Sequence, residues 1–162
     1  MRQRGNWIEA SHLGTLIALT GIVTLDPSAG MRGAPDWAGW LTGQQRLDRV
    51  MSRVAPPLFL SAGGSAAAAA LVALARRQNA LAAGRAVCAL CIAAAIAVTL
   101  TVNEPVNVRL REWRPQDEPA DDWQLARARW NQGHAGRRVL LAAAALASWL
   151  GARRTRPARP EA

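Results

Sequence analysis

The residues best placed to do chemistry lie in the last third of the chain. Trp123, Arg127, Trp130, His134 and then Arg137 or Arg138 follow one another at intervals of three or four. On a helix that spacing sets them in one stripe down one face. Just upstream stands Asn103-x-Pro105-x-Asn107. Indole faces stack on flat apolar molecules, guanidinium and amide groups hold carbonyl or phenolate oxygens, and an imidazole exchanges protons near neutral pH. Together they describe a pocket for a flat, partly polar aromatic molecule. In it His134 is the catalytic base, and Asn103, Asn107, Trp123, Arg127, Trp130 and Arg137 bind the substrate. A second reading stays open. Trp and Arg also gather at membrane boundaries for lipid reasons alone, as an aromatic belt with snorkelling arginines. The two asparagines have their own simpler role, capping a helix that ends there.

Such residues need a scaffold, and the charge pattern says which kind. The chain has 162 residues, a net charge of +9 and 51% hydrophobic residues, which fits one domain and is too apolar for disorder. Yet segments 10–25, 54–75, 86–103 and 139–152 contain no Asp, Glu or Arg. A soluble helix keeps polar residues on its outer face. In a chain this short, several helices apolar all round belong in a membrane. The expected fold class is all-α, a four-transmembrane-helix bundle with spans near 8–25, 54–75, 86–104 and 134–152. These make one membrane domain over 1–152, followed by a basic tail, 153–162. The first and last spans reach the roughly 20 residues needed only if Glu9 and His12, or His134, Arg137 and Arg138, lie at an interface. Gly63, Gly64 and the alanines of 66–70 offer close helix packing.

Four spans put both termini on one side. Nine Arg crowd into the short flanks of that side, which makes it cytoplasmic, most simply at the plasma membrane. The other side receives an additional helical and loop region from roughly 26–53 and 104–133. In the first part a helix is expected to start at Asp36 and run into the second span, broken near Pro56-Pro57. In the second, Pro105, Pro115 and Pro119 argue for loop until Asp121 or Asp122 caps a helix. That helix runs unbroken from Trp123 through Gly133 and Gly136. A cleaved signal peptide is disfavoured, because the first apolar run is long, includes Glu9 and His12, and ends in Leu25-Asp26-Pro27. The Arg-rich tail reads as a contact to membrane lipids. It lacks the interleaved aromatics and folded scaffold of a nucleic-acid binder, so no nucleic acid is expected as a partner.

An Asn-x-Pro-x-Asn ending a third hydrophobic span, then Trp130-x-x-x-His134-x-x-Arg137 entering a fourth, resembles the anthrone oxygenase-like family of small four-helix integral membrane proteins. The likeness covers about 101–150, with the four-span layout extending it. It implies an enzyme that oxidises an anthrone, or a related polycyclic aromatic or lipophilic metabolite of an aromatic polyketide pathway, to a quinone. It also implies molecular oxygen as co-substrate and no cofactor. The chemistry would be removal of the acidic benzylic proton by His134, with donors such as Asn103, Asn107 and Arg137 on the enolate or phenolate oxygens and Trp123 and Trp130 orienting the rings.

Two other constellations of chemistry-bearing residues stand elsewhere in the chain. Glu9-x-x-His12 pairs a carboxylate with an imidazole, but the topology sets them at the opposite membrane face from His134, so no metal site is expected. Cys88-Ala-Leu-Cys91 is similar to the thiol pair of vitamin K epoxide reductase-like enzymes, which relay electrons through further cysteines that this sequence does not have. Two inert buried thiols are the simpler reading. The alternatives to an oxygenase are thus a non-enzymatic accessory protein whose stripe binds lipid or a partner helix, and a thiol oxidoreductase using Cys88 and Cys91.

Overall fold

The computed structural model describes residues 36–154, which are all-α with no strand among them. The expected span 8–25, with Glu9 and His12, and the tail from 155 onward lie outside the described residues. Helix α1 spans Trp37–Ala75. It starts where Asp36, in extended backbone, accepts the Gly39 N–H at 2.7 Å, as an N-cap should. Its first turns bury Trp37, Trp40, Leu41 and Gln44; its second half buries Ala62, Ala66, Ala69 and Ala73. The expected break at Pro56-Pro57 does not occur, since both prolines sit inside the helix. They remove the donors that would meet the carbonyls of Ser52 and Arg53. All four residues are exposed, so no bond of the packed interior is lost.

A tight turn follows, with Arg77 in the left-handed region at φ 58° and the Gln78 N–H returning to the Ala73 carbonyl at 2.9 Å. Helix α2, Asn79–Val98, runs into a five-residue π-helical segment, Thr99–Asn103, and then helix α3, Glu104–Glu112. The stretch expected to be loop from 104 onward is therefore helical as far as 112. Pro105 follows closely on the π segment inside a helix continuous from Asn79 to Glu112, so the N–H it lacks would have met a carbonyl one turn back in that wider segment. Val106 and Leu110, one turn apart, are buried. Helix α4, Trp123–Arg153, is unbroken through Gly133 and Gly136, as expected. Asp122 stands at its N-cap position, but its carboxylate makes no capping bond and instead accepts from Arg109 Nη2 at 2.7 Å.

Helix α2 lies between α1 and α4. Their shared core holds Ala62, Ala66, Cys88, Ile92, Ala95, Leu141 and Ala144. Toward one end the backbones of α2 and α4 nearly touch, so that a Cβ at Gly84 would lie 2.6 Å from the Ala147 carbonyl and 2.9 Å from Gly151 Cα. Beside this contact Arg85, only 3% exposed, donates to Ser148 Oγ. Both thiols are free, with Cys88 buried in the core and Cys91 half-buried.

Large apolar side chains meanwhile point outward, among them Leu60, Leu71, Leu90, Leu100, Val139 and Leu146. Trp37–Ala75 and Asn79–Glu112 are long and apolar enough to cross a membrane, and only 22% of the apolar window of each is buried. The core helix of a soluble protein would be mostly covered; these two are not. Helix α4 carries three ionisable side chains where its apolar half begins and does not join that pair.

Candidate active site

At the end opposite the Gly84–Gly151 contact, α2, the π segment and α3 run antiparallel to α4 and meet it through a ladder of polar residues. Thr99, Asn103 and Asn107, spaced four apart, share one side. Asn107 Oδ1 accepts from Trp130 Nε1 at 3.1 Å. Asn103 Nδ2 donates to the Trp130 carbonyl at 3.0 Å. Thr99 Oγ1 accepts from Arg137 Nη1 at 3.1 Å. Asn103 is 1% exposed, and its Oδ1 is buried without a hydrogen-bond partner. It fits only because residue 133 is glycine; a Cβ there would lie 2.6 Å from that oxygen. The π segment is the sort of local widening found at functional positions, where an extra residue re-aims side chains. It ends at Asn103, turning a residue expected as a cap into a cross-helix contact.

Around His134 the rungs converge. The imidazole stacks on the Trp130 ring, with centroids 5.0 Å apart and planes 9° from parallel. Arg137 Nη2 lies 2.7 Å from His134 Nδ1, and His134 Nε2 is shielded from solvent. A guanidinium has only donors, so in this arrangement the Nδ1 lone pair is occupied by Arg137. Behind Asn107 the network continues outward. Asn107 Nδ2 donates to Glu104 at 3.3 Å, Arg111 Nη1 donates to the same carboxylate at 3.0 Å, and Arg111 grips Asp48 of α1 with bonds of 2.7 and 3.1 Å. The two carboxylates hold the Arg111 guanidinium firmly protonated. A cavity of about 310 Å³ lies on this outer side, lined by Gln45, Asp48, Arg49, Ser52, Arg53 and Arg111. Of its lining residues, Arg111 links it to the ladder through the bond to Glu104.

Of the residues expected at the site, Asn103, Asn107, Trp130, His134 and Arg137 come together. Trp123 does not. It packs with Trp37 and Trp40 at 5.8 and 5.7 Å, in a cluster that also takes in Trp113. Arg127 is half-buried on α4 between that cluster and Trp130. Thr99, Glu104 and Gly133 were not anticipated. The four-residue spacing of Thr99, Asn103 and Asn107 is the signal that finds the first. Nothing local marks Gly133, whose need for a hydrogen in place of a side chain comes from Asn103 across the helix pair. Among the described residues no group of His, Cys, Asp and Glu is clustered to hold a metal ion.

Residues 47–147, more than half of the chain, match the family model described as anthrone oxygenase. No curated protein and no solved structure matches.

Proposed function

The chain belongs to the anthrone oxygenase family, and on that premise we propose that it is a membrane-embedded enzyme oxidising an anthrone, or a related polycyclic aromatic metabolite, with molecular oxygen. In this reading the anthrone loses a benzylic proton, and the enolate reacts with oxygen to give a hydroperoxide. Loss of water then leaves the quinone, so one anthrone and one oxygen molecule become one quinone and one water. No cofactor takes part. His134 is the catalytic residue that meets the reacting atoms. Trp130 orients the flat substrate, and Asn103, Asn107 and Arg137 hold its polar atoms, with Arg127 and Trp123 further along the same stripe.

The observation that carries this reading is the convergence of Asn107, Trp130, His134 and Arg137 where α4 meets the π segment and α3. A lipid-facing belt would splay these groups outward, whereas here they bond to one another between helices. An ionisable side chain at this depth is costly and marks function. The four-span bundle completes the picture, with 8–25 and 134–152 joining the two strongly apolar helices in one domain over 1–152. Both termini are then cytoplasmic at the plasma membrane, and the tail 153–162 lies against anionic lipid. The substrate is lipophilic and enters from the bilayer or its surface.

Purified protein in detergent, given an anthrone, should consume oxygen and form quinone above the spontaneous rate. His134→Ala should lose that excess while keeping its helical circular dichroism. Activity retained in a folded His134→Ala protein would remove the residue from the chemistry. No excess oxygen uptake in the parent protein would favour an accessory role in which the stripe binds lipid or a partner helix.

A further inference from the structure

The outer cavity holds charge that the polar ladder does not use. All six residues that line it are polar: Gln45, Asp48, Arg49, Ser52, Arg53 and Arg111. One wall is balanced. Arg111 donates to both oxygens of Asp48 and to Glu104, so its charge and theirs are already matched. Gln45 spends its amide N–H groups on the Leu110 and Trp113 carbonyls at 2.7 and 2.9 Å. Arg49 and Arg53 are different. They stand one turn apart on one face of α1, and both are exposed. Among the described residues neither guanidinium has a hydrogen bond or an ion pair. Two positive charges therefore border about 310 Å³ of space with no anion of the described chain left to meet them.

Their height in a bilayer follows from the helix that carries them. Arg53 is the last charged residue before 54–75, which contains none, and Arg76 is the next. Those 22 residues all belong to α1. At about 1.5 Å per residue they measure roughly 33 Å, close to the ~30 Å of a hydrocarbon core. With that segment in the core, Arg49 and Arg53 lie at the level of the lipid phosphates. The stripe they begin continues at intervals of three or four through Pro57 and Leu60, and both of these are exposed. One face of α1 thus offers guanidinium groups above and apolar surface below.

We propose that this cavity binds the phosphate group of an anionic phospholipid, held by Arg49, Arg53 and the Ser52 hydroxyl, with the acyl chains lying along Pro57 and Leu60. Guanidinium groups present paired N–H donors that match phosphate oxygens. Ser52 Oγ meets the Arg49 carbonyl only at 3.5 Å, too long to hold its proton there. A zwitterionic choline head brings a further positive charge beside the arginines and gains less. A flat aromatic molecule finds no ring to stack on in this lining. The proposal takes from the functional reading only that α1 crosses a membrane, and it is independent of the reaction catalysed.

Native mass spectrometry of the full chain in neutral detergent tests it, with short-chain phosphatidylglycerol and phosphatidylcholine as probes. One phosphatidylglycerol per chain should be retained in preference to phosphatidylcholine. Arg49→Gln/Arg53→Gln removes only exposed side chains and should keep its helical circular dichroism. It should bind phosphatidylglycerol at least about tenfold more weakly, the value of one hydrogen bond between charged groups. Arg76→Gln/Arg77→Gln removes the same charge at the other end of α1 and should bind as the parent does. Equal retention of the two lipids by the parent, or equal loss in the two double variants, overturns the site, because a general attraction of a basic chain for anionic lipid gives those results. The comparison of lipids in the parent decides the matter even where a variant does not fold. Inorganic phosphate displacing phosphatidylglycerol at equal concentration overturns the lipid in favour of a free phosphate ion. A chain recovered soluble without detergent overturns the membrane reading itself, whereas lost selectivity in a detergent-dependent chain overturns this site alone.

Discussion

Gly133→Ala and Gly136→Ala are the same chemical change three residues apart on one helix, and the structure assigns them opposite signs. In a helix interior, alanine is favoured over glycine by about 1 kcal/mol. At Gly136 nothing lies within 4 Å of the added methyl, so that gain should appear almost whole. At Gly133 the methyl meets Asn103 Oδ1 at 2.6 Å, Val102 Cγ1 at 2.9 Å and Asn103 Cγ at 3.0 Å. Asn103 is fully enclosed and cannot swing into solvent. Moving its amide breaks the 3.0 Å bond to the Trp130 carbonyl and strands a buried donor, at about 1–3 kcal/mol. Crowding in a packed interior adds roughly 1–3 kcal/mol. After the helix-propensity gain, Gly133→Ala should lose about 1–5 kcal/mol while Gly136→Ala gains up to about 1 kcal/mol. Thermal or denaturant unfolding of both variants in one detergent reads the difference. Asn103→Ala should suppress part of the Gly133→Ala defect, because the clash is then gone and only the lost bond remains. Equal stability of the two glycine variants, or strictly additive behaviour of the double variant, would refute the docking of Asn103 into Gly133.

Four further substitutions each test a single contact. Gly84→Ala should be among the most damaging substitutions in the chain, because its methyl meets the Ala147 carbonyl and Gly151 Cα, backbone that cannot step aside; Ser148→Ala should cost a smaller ~1–3 kcal/mol through Arg85. Unfolding midpoints in detergent rank the two. Asn107→Ala should leave the Trp130 indole N–H without its acceptor, lowering stability by about 1–2 kcal/mol and anthrone oxidation by more than that loss explains, checked by comparing unfolding with oxygen uptake. Hydrogen bonding to Arg109 holds the Asp122 carboxyl below the usual carboxylate range. That contribution is therefore present above about pH 4 and lost as acid protonates the folded carboxyl. Asp122→Asn should flatten the acid limb of the stability profile, modestly, since both side chains are nearly half exposed.

How far the sequence reveals this molecule depends on the range of the interaction involved. Trp123, Trp130, His134 and Arg137 declare their shared helix face by spacing alone, and α4 carries them as read. Asp36 likewise announces the start of α1. The prolines at 56 and 57 mislead because a helix tolerates them wherever the orphaned carbonyls are exposed, and exposure is a tertiary property. The π segment has no local signature in Thr99–Asn103, yet it aims Asn103 across to α4 where a cap was expected. Pro105 misleads in the same way as the prolines of α1, because the helix runs through it without interruption from the π segment. Trp123 looked equivalent to Trp130 along the stripe; only the Trp37, Trp40 and Trp113 side chains, from distant parts of the chain, distinguish a packing residue from a site residue. The pairing of Arg137 with His134 was visible as spacing, but its chemical consequence emerged only with the 2.7 Å contact at Nδ1.

As an oxygenase, this site must put oxygen from the gas into an anthrone. The most direct measurement supplies an anthrone to the purified protein under oxygen gas of the heavy isotope and follows the label in the quinone by mass spectrometry, with folded His134→Ala alongside. One labelled oxygen per quinone is expected, formed faster than without protein and at the background rate with His134→Ala. Label entering no faster than background, or equally fast with the folded variant, would contradict it.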